Sequence, residues 1–342
     1  MTNRESFWKD RRVLVTGAGG FLGSWVSKKL VDLKAVVVGL IRDRDARSYF
    51  ETSGTSGRVT IVQGDLVDYA LIERVLGEYE IDTCLHLGAQ ALVTVANRAP
   101  YTTFESNTRG TWNVLEAARK TPNVKRIVVA SSDKAYGAKT RMPYNETDPL
   151  EGDNPYDLSK TCADLIAQMY HKSYGLPVTI ARCGNLYGPG DLNFDRIIPG
   201  TMRSLILGER PVIRSDGSYI RDYFYIEDAV EAYLTLAERC LEQKGEAFNF
   251  GTQTPTSVLD LVREITAISG KKIRPKVLGI AKGEIKKQYL SGRKAEKLLG
   301  WKHHTSLQDA LGATYHWYEG FLSEEANAGL SVSTHLKMLP KQ

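Results

Sequence analysis

Tyr156 and Lys160 stand four residues apart in Pro155-Tyr156-Asp157-Leu158-Ser159-Lys160. On a helix that spacing places both side chains on one face, where an ammonium lowers the phenol's pKa and lets a tyrosinate act as base near neutral pH. Upstream, Ala130-Ser131-Ser132-Asp133-Lys134-Ala135-Tyr136-Gly137 offers hydroxyls, a carboxyl and an amine in succession. A Tyr-x-x-x-Lys match by itself is common and usually structural. It gains weight here from the serine pair that ends the intervening apolar run, and from a third motif nearer the start of the chain.

That third motif is Thr16-Gly17-Ala18-Gly19-Gly20-Phe21-Leu22-Gly23, which follows Val13-Leu-Val-Thr16 and opens a helical pattern. Glycines at 17, 20 and 23 permit a tight turn and close backbone approach, while the next helix presents unpaired N–H groups and a positive dipole end to a pyrophosphate. Gly17, Gly20, Phe21, Leu22 and Gly23 are the expected cofactor contacts. Such glycines also serve plain tight turns, and their position on the first strand-to-helix unit is what favours a dinucleotide. At the end of the second strand a carboxylate would accept from a ribose 2′-hydroxyl and a cation would accommodate a 2′-phosphate. Arg42 and Asp43 offer both, and either also reads as a solvated strand end. After the third strand, Gly64-Asp65-Leu66 puts Asp65 and Leu66 beside the adenine, with an ordinary turn aspartate as the other reading.

The elements that must position these residues alternate. Val13–Thr16, Ala35–Ile41, Val59–Val62, Thr83–Leu87, Arg126–Ala130 and Val178–Ala181 read as buried strands. Leu22–Leu33, Tyr69–Tyr79, Thr108–Lys120 and Tyr156–Tyr174 have helical length and spacing. Repeated βα units imply an α/β fold, a doubly wound parallel sheet of Rossmann type. After Gly184 the chain leaves the sheet through loops rich in Gly, Pro and Asp, and it returns with a helix near 228–243 and a strand at 247–250. The expected division is a dinucleotide-binding domain at 1–184 plus 225–254 and a smaller C-terminal α/β substrate-binding lobe at 185–224 plus 255–322. Residues 323–342 read as a loosely ordered tail.

With 342 residues, 42% hydrophobic and 25% charged, the chain has the composition of an ordinary globular protein. Its longest apolar run, Ala35–Ile41, is far short of the ~20 residues that cross a bilayer, so no membrane partner is expected. A charge of +5 from interspersed residues gives no reason to expect a nucleic-acid partner. Cys84, Cys162, Cys183 and Cys240 form no Cys-x-x-Cys and the histidines no His-x-x-x-His, which predicts neither a disulfide framework nor a metal site and fits a reducing cytoplasm.

From about residue 8 to 320 the sequence resembles the extended short-chain dehydrogenase/reductases that act on nucleotide sugars. The resemblance rests on the glycine motif, Gly64-Asp65-Leu66, His86-Leu-Gly-Ala-Gln90, Asn107 in Ser-Asn-Thr-x-Gly-Thr, Tyr156-x-x-x-Lys160, Arg182-x-Gly-Asn185-x-Tyr-Gly-Pro189 and Arg221-Asp-Tyr-x-Tyr-Ile-x-Asp228. It implies that Ser132 and Tyr156 contact the sugar C4 hydroxyl, that Lys160 also holds the nicotinamide ribose, and that Asn185 and Arg221 bind the substrate diphosphate. Asn107 joins the expected substrate contacts. Arg196 and Arg214 are grouped with Arg221 as loop arginines suited to bidentate anion contacts, though each also reads as a surface charge.

Within that family the two positions after the catalytic Ser/Thr differ between reactions. Thymidine-diphospho-glucose 4,6-dehydratases carry Asp and Glu there, as acid at the C6 hydroxyl and base at C5, whereas 4-epimerases have inert residues. The Ser132-Asp133-Lys134 form resembles CDP-glucose 4,6-dehydratases, as do Phe7-Trp8, Pro155-Tyr-x-x-Ser-Lys-x-Cys162-Ala-x-Leu and Gly190-Asp191-x-x-x-Asp195-Arg196-x-Ile-Pro199. Arg221-Asp222-Tyr223 and Tyr136-Gly137 depart from that group, which has Arg-Pro-Trp and Tyr-Asp. An ion pair between Asp133 and Lys134 that merely fastens the strand end is the plainer reading. The implied reaction converts CDP-glucose to CDP-4-keto-6-deoxyglucose by C4 oxidation, elimination of water across C5 and C6, and hydride return to C6. The alternative is a nucleotide-sugar 4-epimerase. NAD is the expected cofactor, because hydride is returned within each turnover and Asp43 is available to the ribose; Arg42 keeps NADP open. A homodimer is expected, paired through the helices starting at Thr108 and Tyr156.

Overall fold

The computed structural model describes residues 3–281 and 285–327. Contacts divide the chain into two compact units, the first made of Met1–Leu186, Arg221–Pro255 and Lys287–His304. The second comprises Tyr187–Ile220, Thr256–Lys286 and the chain from Thr305 onward.

The first unit is built on seven strands: β1 (Arg12–Thr16), β2 (Val36–Ile41), β3 (Thr60–Gln63), β4 (Thr83–His86), β5 (Arg126–Ala130), β6 (Val178–Cys183) and β7 (Ala247–Phe250). They lie in the order β7-β6-β5-β4-β1-β2-β3, and all pair in parallel. Successive residues of a strand point to opposite faces, so a strand buried on both faces is apolar throughout. Val13 and Val15 accordingly join one core with Leu85, Val128, Ala181 and Phe248, while Leu14 joins the other with Cys84, Ile127, Val129 and Ile180. Helices α1 (Phe21–Asp32), α2 (Tyr69–Glu78), α3 (Gly110–Lys120), α4 (Pro155–Tyr174) and α5 (Ile226–Glu238) supply the covering layers. Val26 and Leu30 of α1 and Ala229, Tyr233 and Leu236 of α5 fill the first core; Ile72, Val75, Val114, Leu115 and Ala167 of α2, α3 and α4 fill the second. This is the doubly wound parallel sheet that the βα pattern implied. Strand order reverses between β1, which pairs with β2 on one side, and β4 on the other, and the crevice beyond their C-terminal ends is where such sheets bind ligands.

The sequence reading began one helix at Thr108, but helical turns already run at Val93–Arg98 and Pro100–Phe104, followed by a π-helical stretch at Glu105–Arg109 that leads into α3. The extra residue per turn accommodates Asn107, whose amide leaves the helix surface to bond elsewhere.

In the second unit the helices Ile197–Ile206, Val258–Ile268 and Leu307–Asn327 pack together, and Tyr318 donates a hydrogen bond to the Asp191 carbonyl. Residues 287–304 belong to the first unit, although the sequence reading placed them in the lobe. The last helix runs to Asn327, so 323–327 are helical rather than loose; residues 328–342 of the expected tail lie outside the described residues. Among the described residues no helix is long and apolar enough to cross a membrane.

Candidate active site

At the β1–α1 junction the backbone doubles back on itself. Gly17 has φ +70°, its N–H donates to the Leu40 carbonyl at 2.9 Å, and its own carbonyl accepts from Gly20 N at 2.9 Å. A methyl group on Gly23 would lie 2.0 Å from the Gly17 oxygen, and one on Gly17 would lie 2.7 Å from Gly88 Cα. Both positions are therefore closed to side chains. No side chain caps α1, which begins at Phe21 with Gly20 as its N-cap. Its first N–H groups and the side-chain-free turn form a cradle for an anion, and the chain fits a dinucleotide pyrophosphate there. Thr16 Oγ1 accepts from Leu87 N at 3.1 Å and Gly88 N at 3.0 Å, holding the β4 loop against the glycine turn. Leu66 lies under Gly88 and Gly110, and its carbonyl accepts from Asn113 at 2.9 Å. Asp65 Oδ1 accepts from Val67 N at 3.1 Å, an Asx-type turn. At the end of β2, Arg42 Nε donates to Asp43 Oδ2 at 2.7 Å, and both side chains are exposed.

His86 bridges β1, β4 and α3: its Nδ1 meets Thr16 Oγ1 at 2.9 Å and its Nε2 meets Thr111 Oγ1 at 3.0 Å. Burial, with the nearby Lys160 charge, pushes its pKa down to about 3, so the ring is neutral.

The second half of the site sits where β5 ends. Ser132 caps a single 3₁₀ turn, Asp133–Tyr136, by accepting from Lys134 N at 3.2 Å, and Gly137 closes the turn at φ +67°. That turn is fastened to α4: Thr161 Oγ1 and Glu151 N both donate to the Ala135 carbonyl, at 2.9 and 3.0 Å. From behind, Tyr136 Oη accepts from buried Arg182 at 2.8 Å and donates to Asn249 Oδ1 at 2.7 Å, with Arg182 held bidentately by Asp164. Asn154 caps α4 and Pro155 occupies its first turn, which sets Tyr156 in that turn, half-buried. One turn on, Lys160 is 6% exposed and its Nζ donates to the Ala130 carbonyl at 2.9 Å, reaching the end of β5. Burial pulls its pKa down to about 8, with Asp164 and Cys183 opposing.

Ser132 Oγ donates to Asp133 Oδ1 at 3.2 Å, whereas Asp133 Oδ2 is buried and has no hydrogen-bond partner. The Lys134 amine donates to Gln288 Oε1, while Gln288 Nε2 donates to the Asp133 carbonyl at 2.9 Å. The structure thus brings Ser132, Asp133, Lys134 and Lys160 together at one strand end, with Tyr156 one turn from Lys160.

The remaining expected residues distribute differently. Asn107 is 1% exposed and its amide is saturated within the chain, accepting from Gln90 N at 2.6 Å and donating to Gln90 O at 3.0 Å and Ser159 Oγ at 2.9 Å. Its polar atoms hold the β4 loop to α4. Asn185 and Arg221 lie in the first unit, where Asn185 N donates to the Asp222 carbonyl at 3.0 Å. Arg196 and Arg214 lie in the second unit: Arg196 pairs with Asp191 at 2.7 Å, and Arg214, which follows a separate short strand, donates to the Asp195 carbonyl at 3.5 Å, so it reaches the loop that carries Arg196.

Sequence reasoning missed three participants. Asp157, directly after Tyr156, is buried, and burial pushes its carboxyl up to about 6 while the Lys134 charge pulls the other way. Its place inside the Tyr-x-x-x-Lys motif was a usable signal. Asp222 accepts from Thr252 N and Oγ1 at 2.9 and 2.8 Å and from Leu290 N at 3.4 Å, anchoring the segment that carries Gln288. Nothing local to Gln288 in the sequence marks it, since its partners are more than 150 positions away.

The chain is similar to known proteins over most of its length. The chain is 30% identical over 92% of its length to a trifunctional UDP-glucose 4,6-dehydratase/UDP-4-keto-6-deoxy-D-glucose 3,5-epimerase/UDP-4-keto-L-rhamnose-reductase of Arabidopsis thaliana, and it spans about half (48%) of that protein. It is 29% identical to the CDP-glucose 4,6-dehydratase of Salmonella typhimurium, covering 94% of each chain. Among solved structures it resembles UDP-glucuronic acid 4-epimerase from Bacillus cereus in complex with UDP-glucuronic acid and NAD, at 26% identity and a TM-score of 0.83 over 90% of this chain and 99% of that one. The family model for NAD dependent epimerases and dehydratases matches residues 13–251, which take in the glycine cradle, the Ser132–Lys134 turn and the Tyr156–Lys160 pair, and the chain belongs to the NAD dependent epimerase/dehydratase family.

Proposed function

We propose that the chain is a nucleotide-diphosphate-hexose 4,6-dehydratase that converts CDP-glucose to CDP-4-keto-6-deoxyglucose. One observation carries this reading: Ser132, Asp133 and Lys134 occupy a turn fastened to the helix that bears Tyr156 and Lys160, and Asp133 presents a buried, unpartnered carboxyl oxygen. A proton acceptor for C4 and an acid–base pair for C5 and C6 then stand on adjoining elements. A simple fastening ion pair would not leave Asp133 Oδ2 without a hydrogen bond. The likeness to the Salmonella CDP-glucose 4,6-dehydratase supports the same substrate.

The pyrophosphate of NAD is assigned to the Gly17–Gly23 cradle, its adenosine to Asp43, Asp65 and Leu66, and its nicotinamide ribose to Tyr156 and Lys160. NAD bound there supplies the acceptor for the C4 hydride and its return to C6. The family to which the chain belongs and the NAD in the Bacillus cereus neighbour support NAD over NADP.

The chain's own groups move the protons. Ser132 Oγ orients the C4 hydroxyl and Tyr156 Oη takes its proton, with the Lys160 ammonium stabilising the phenolate. The resulting 4-keto group acidifies C5. Lys134, as a neutral amine, takes the C5 proton, Asp133, as a neutral acid, protonates the C6 hydroxyl so that it departs as water, and the protonated Lys134 gives C5 a proton back when C6 is reduced. In this reading Asn185 and Arg221 of the first unit contact the substrate diphosphate, Arg196 and Arg214 are candidate anion contacts in the second unit, and Asn107 positions the site. The enzyme works in the cytoplasm as a homodimer, pairing through α3 and α4, which expose Trp112, Leu158, Leu165 and Met169.

The second reading, a nucleotide-sugar 4-epimerase, shares the oxidation at C4 and draws on the Bacillus cereus likeness. It gives no task to Asp133 and Lys134. Solvent exchange at C5 in the wild-type enzyme separates the two, because an epimerase leaves C5 untouched, and Lys134→Met then tests the identity of the base. With CDP-glucose in deuterium oxide this variant is expected to oxidise C4, seen as transient absorbance of reduced cofactor, but to lose solvent exchange at C5. Wild-type C5 exchange in the variant would remove Lys134 as the base.

A further inference from the structure

Gln288 is fully buried on a segment fixed from several sides. Tyr144 N donates to Tyr289 O at 3.0 Å, Ser291 N to Tyr144 O at 2.9 Å and Leu290 N to Asp222 Oδ2 at 3.4 Å. From that platform its amide makes both of its bonds to the catalytic turn, one to the Asp133 carbonyl and one to the Lys134 amine. A peptide carbonyl only accepts, so the amide NH₂ must face Asp133 O, and the amide oxygen is left facing Lys134. The backbone thereby dictates which end of Gln288 the amine meets.

We infer that Gln288 is a positioning residue that aims the Lys134 amine at the sugar and gives it an uncharged partner, an inference that rests on the proposed role of Lys134 as the C5 base. A neutral amine has two N–H groups and one lone pair. Tying one N–H to a rigid acceptor fixes the rotation of the head group and so directs the lone pair. An amide oxygen accepts that bond without adding negative charge, whereas a carboxylate in its place would hold the amine as ammonium. Asp157 from α4 carries a carboxyl that responds to the lysine charge, and Asp133 precedes Lys134 on the same turn. Both carboxyls favour the ammonium when ionised. A third anion would deepen that bias, and Gln288 is the partner that does not.

Two variants test this with CDP-glucose, NAD and the full-length enzyme, read by solvent deuterium exchange at C5, transient cofactor reduction and steady-state kinetics across pH. Gln288→Glu is expected to move the pH at which C5 exchange becomes half-maximal upward by about one unit or more, leaving KM and the C4 oxidation step in place. Gln288→Met is expected to lower kcat and C5 exchange about tenfold or more while KM stays within about twofold. Either variant decides alone if the other does not fold. A purely structural glutamine would instead lower melting temperature and slow oxidation and exchange together, with the pH limb unmoved, and that pattern overturns the inference. Wild-type exchange in Gln288→Met overturns it as well. Loss of C5 exchange in Lys134→Met alongside either negative result would sink the role of Gln288 alone, whereas retained exchange in Lys134→Met would sink the underlying reading.

Discussion

Lys160 is placed where its charge is useful and unwelcome. Its amine is buried and donates to a single carbonyl, and its pKa falls from 10.5 to about 8. A lysine whose folded pKa lies below its unfolded value binds fewer protons folded than unfolded between those two pH values, so stability rises with pH across that window. Below about pH 8 the buried ammonium therefore opposes folding, by up to about 3 kcal/mol on the one-unit conversion. Lys160→Met is expected to be inactive yet more stable than wild type at pH 7. The difference in unfolding free energy should shrink from pH 8 towards 10.5, as followed by denaturant titrations at each pH; equal stabilities at pH 7 would contradict the buried-cation account. The clustering of these residues was largely legible in the sequence, since the Tyr-x-x-x-Lys spacing and the Ser132-Asp133-Lys134 run mark themselves locally. Asp157 and Gln288 were not, because burial and a partner far along the chain decide what they do.

Elements turn those residues into a site. The β1–α1 turn works because two backbone strands and a helix end pass within contact distance, with no room for a Cβ at Gly23. Gly23→Ala would press a methyl group into the Gly17 carbonyl, forcing the turn and the first helical turn apart. The expected result is at least about tenfold weaker NAD binding by calorimetry with the sheet still folded by circular dichroism; unchanged affinity would show that the turn is not the pyrophosphate cradle. Strands and long helices were readable because each carries an unbroken apolar run or a period of about 3.6 residues. The helical turns between Val93 and Arg109 were not. They are short, interrupted by Pro100 and closed by a π-helical stretch, and their local pattern is weaker than the tertiary bonds of Asn107 that hold them. Asn107 itself was read as a ligand contact because motif membership does not reveal that its amide is taken up by Gln90 and Ser159 within the chain.

At the scale of the whole molecule, the sequence indicated a chain that leaves the sheet after β6 and returns, but not that 287–304 would rejoin the first unit. That return brings Gln288 to the Asp133–Tyr136 turn, and it is set by long-range pairing with Tyr144 and Asp222 that no local period encodes. On α4, Leu158, Leu165 and Met169 fall on one stripe and stay exposed in a single chain, as does Trp112 on α3. In the proposed homodimer that stripe is covered, so light scattering at micromolar concentration should give twice the chain mass and Leu165→Glu should give a monomer; a monomeric wild type would contradict the pairing. The central claim is the reaction. Incubating the enzyme with NAD and CDP-, UDP- or dTDP-glucose in deuterium oxide, then identifying the sugar by mass spectrometry and NMR, tests it most directly. The account predicts a 4-keto-6-deoxy product, formed best from CDP-glucose and carrying deuterium at C5. A C4 epimer that keeps its C6 hydroxyl and its C5 hydrogen would contradict it.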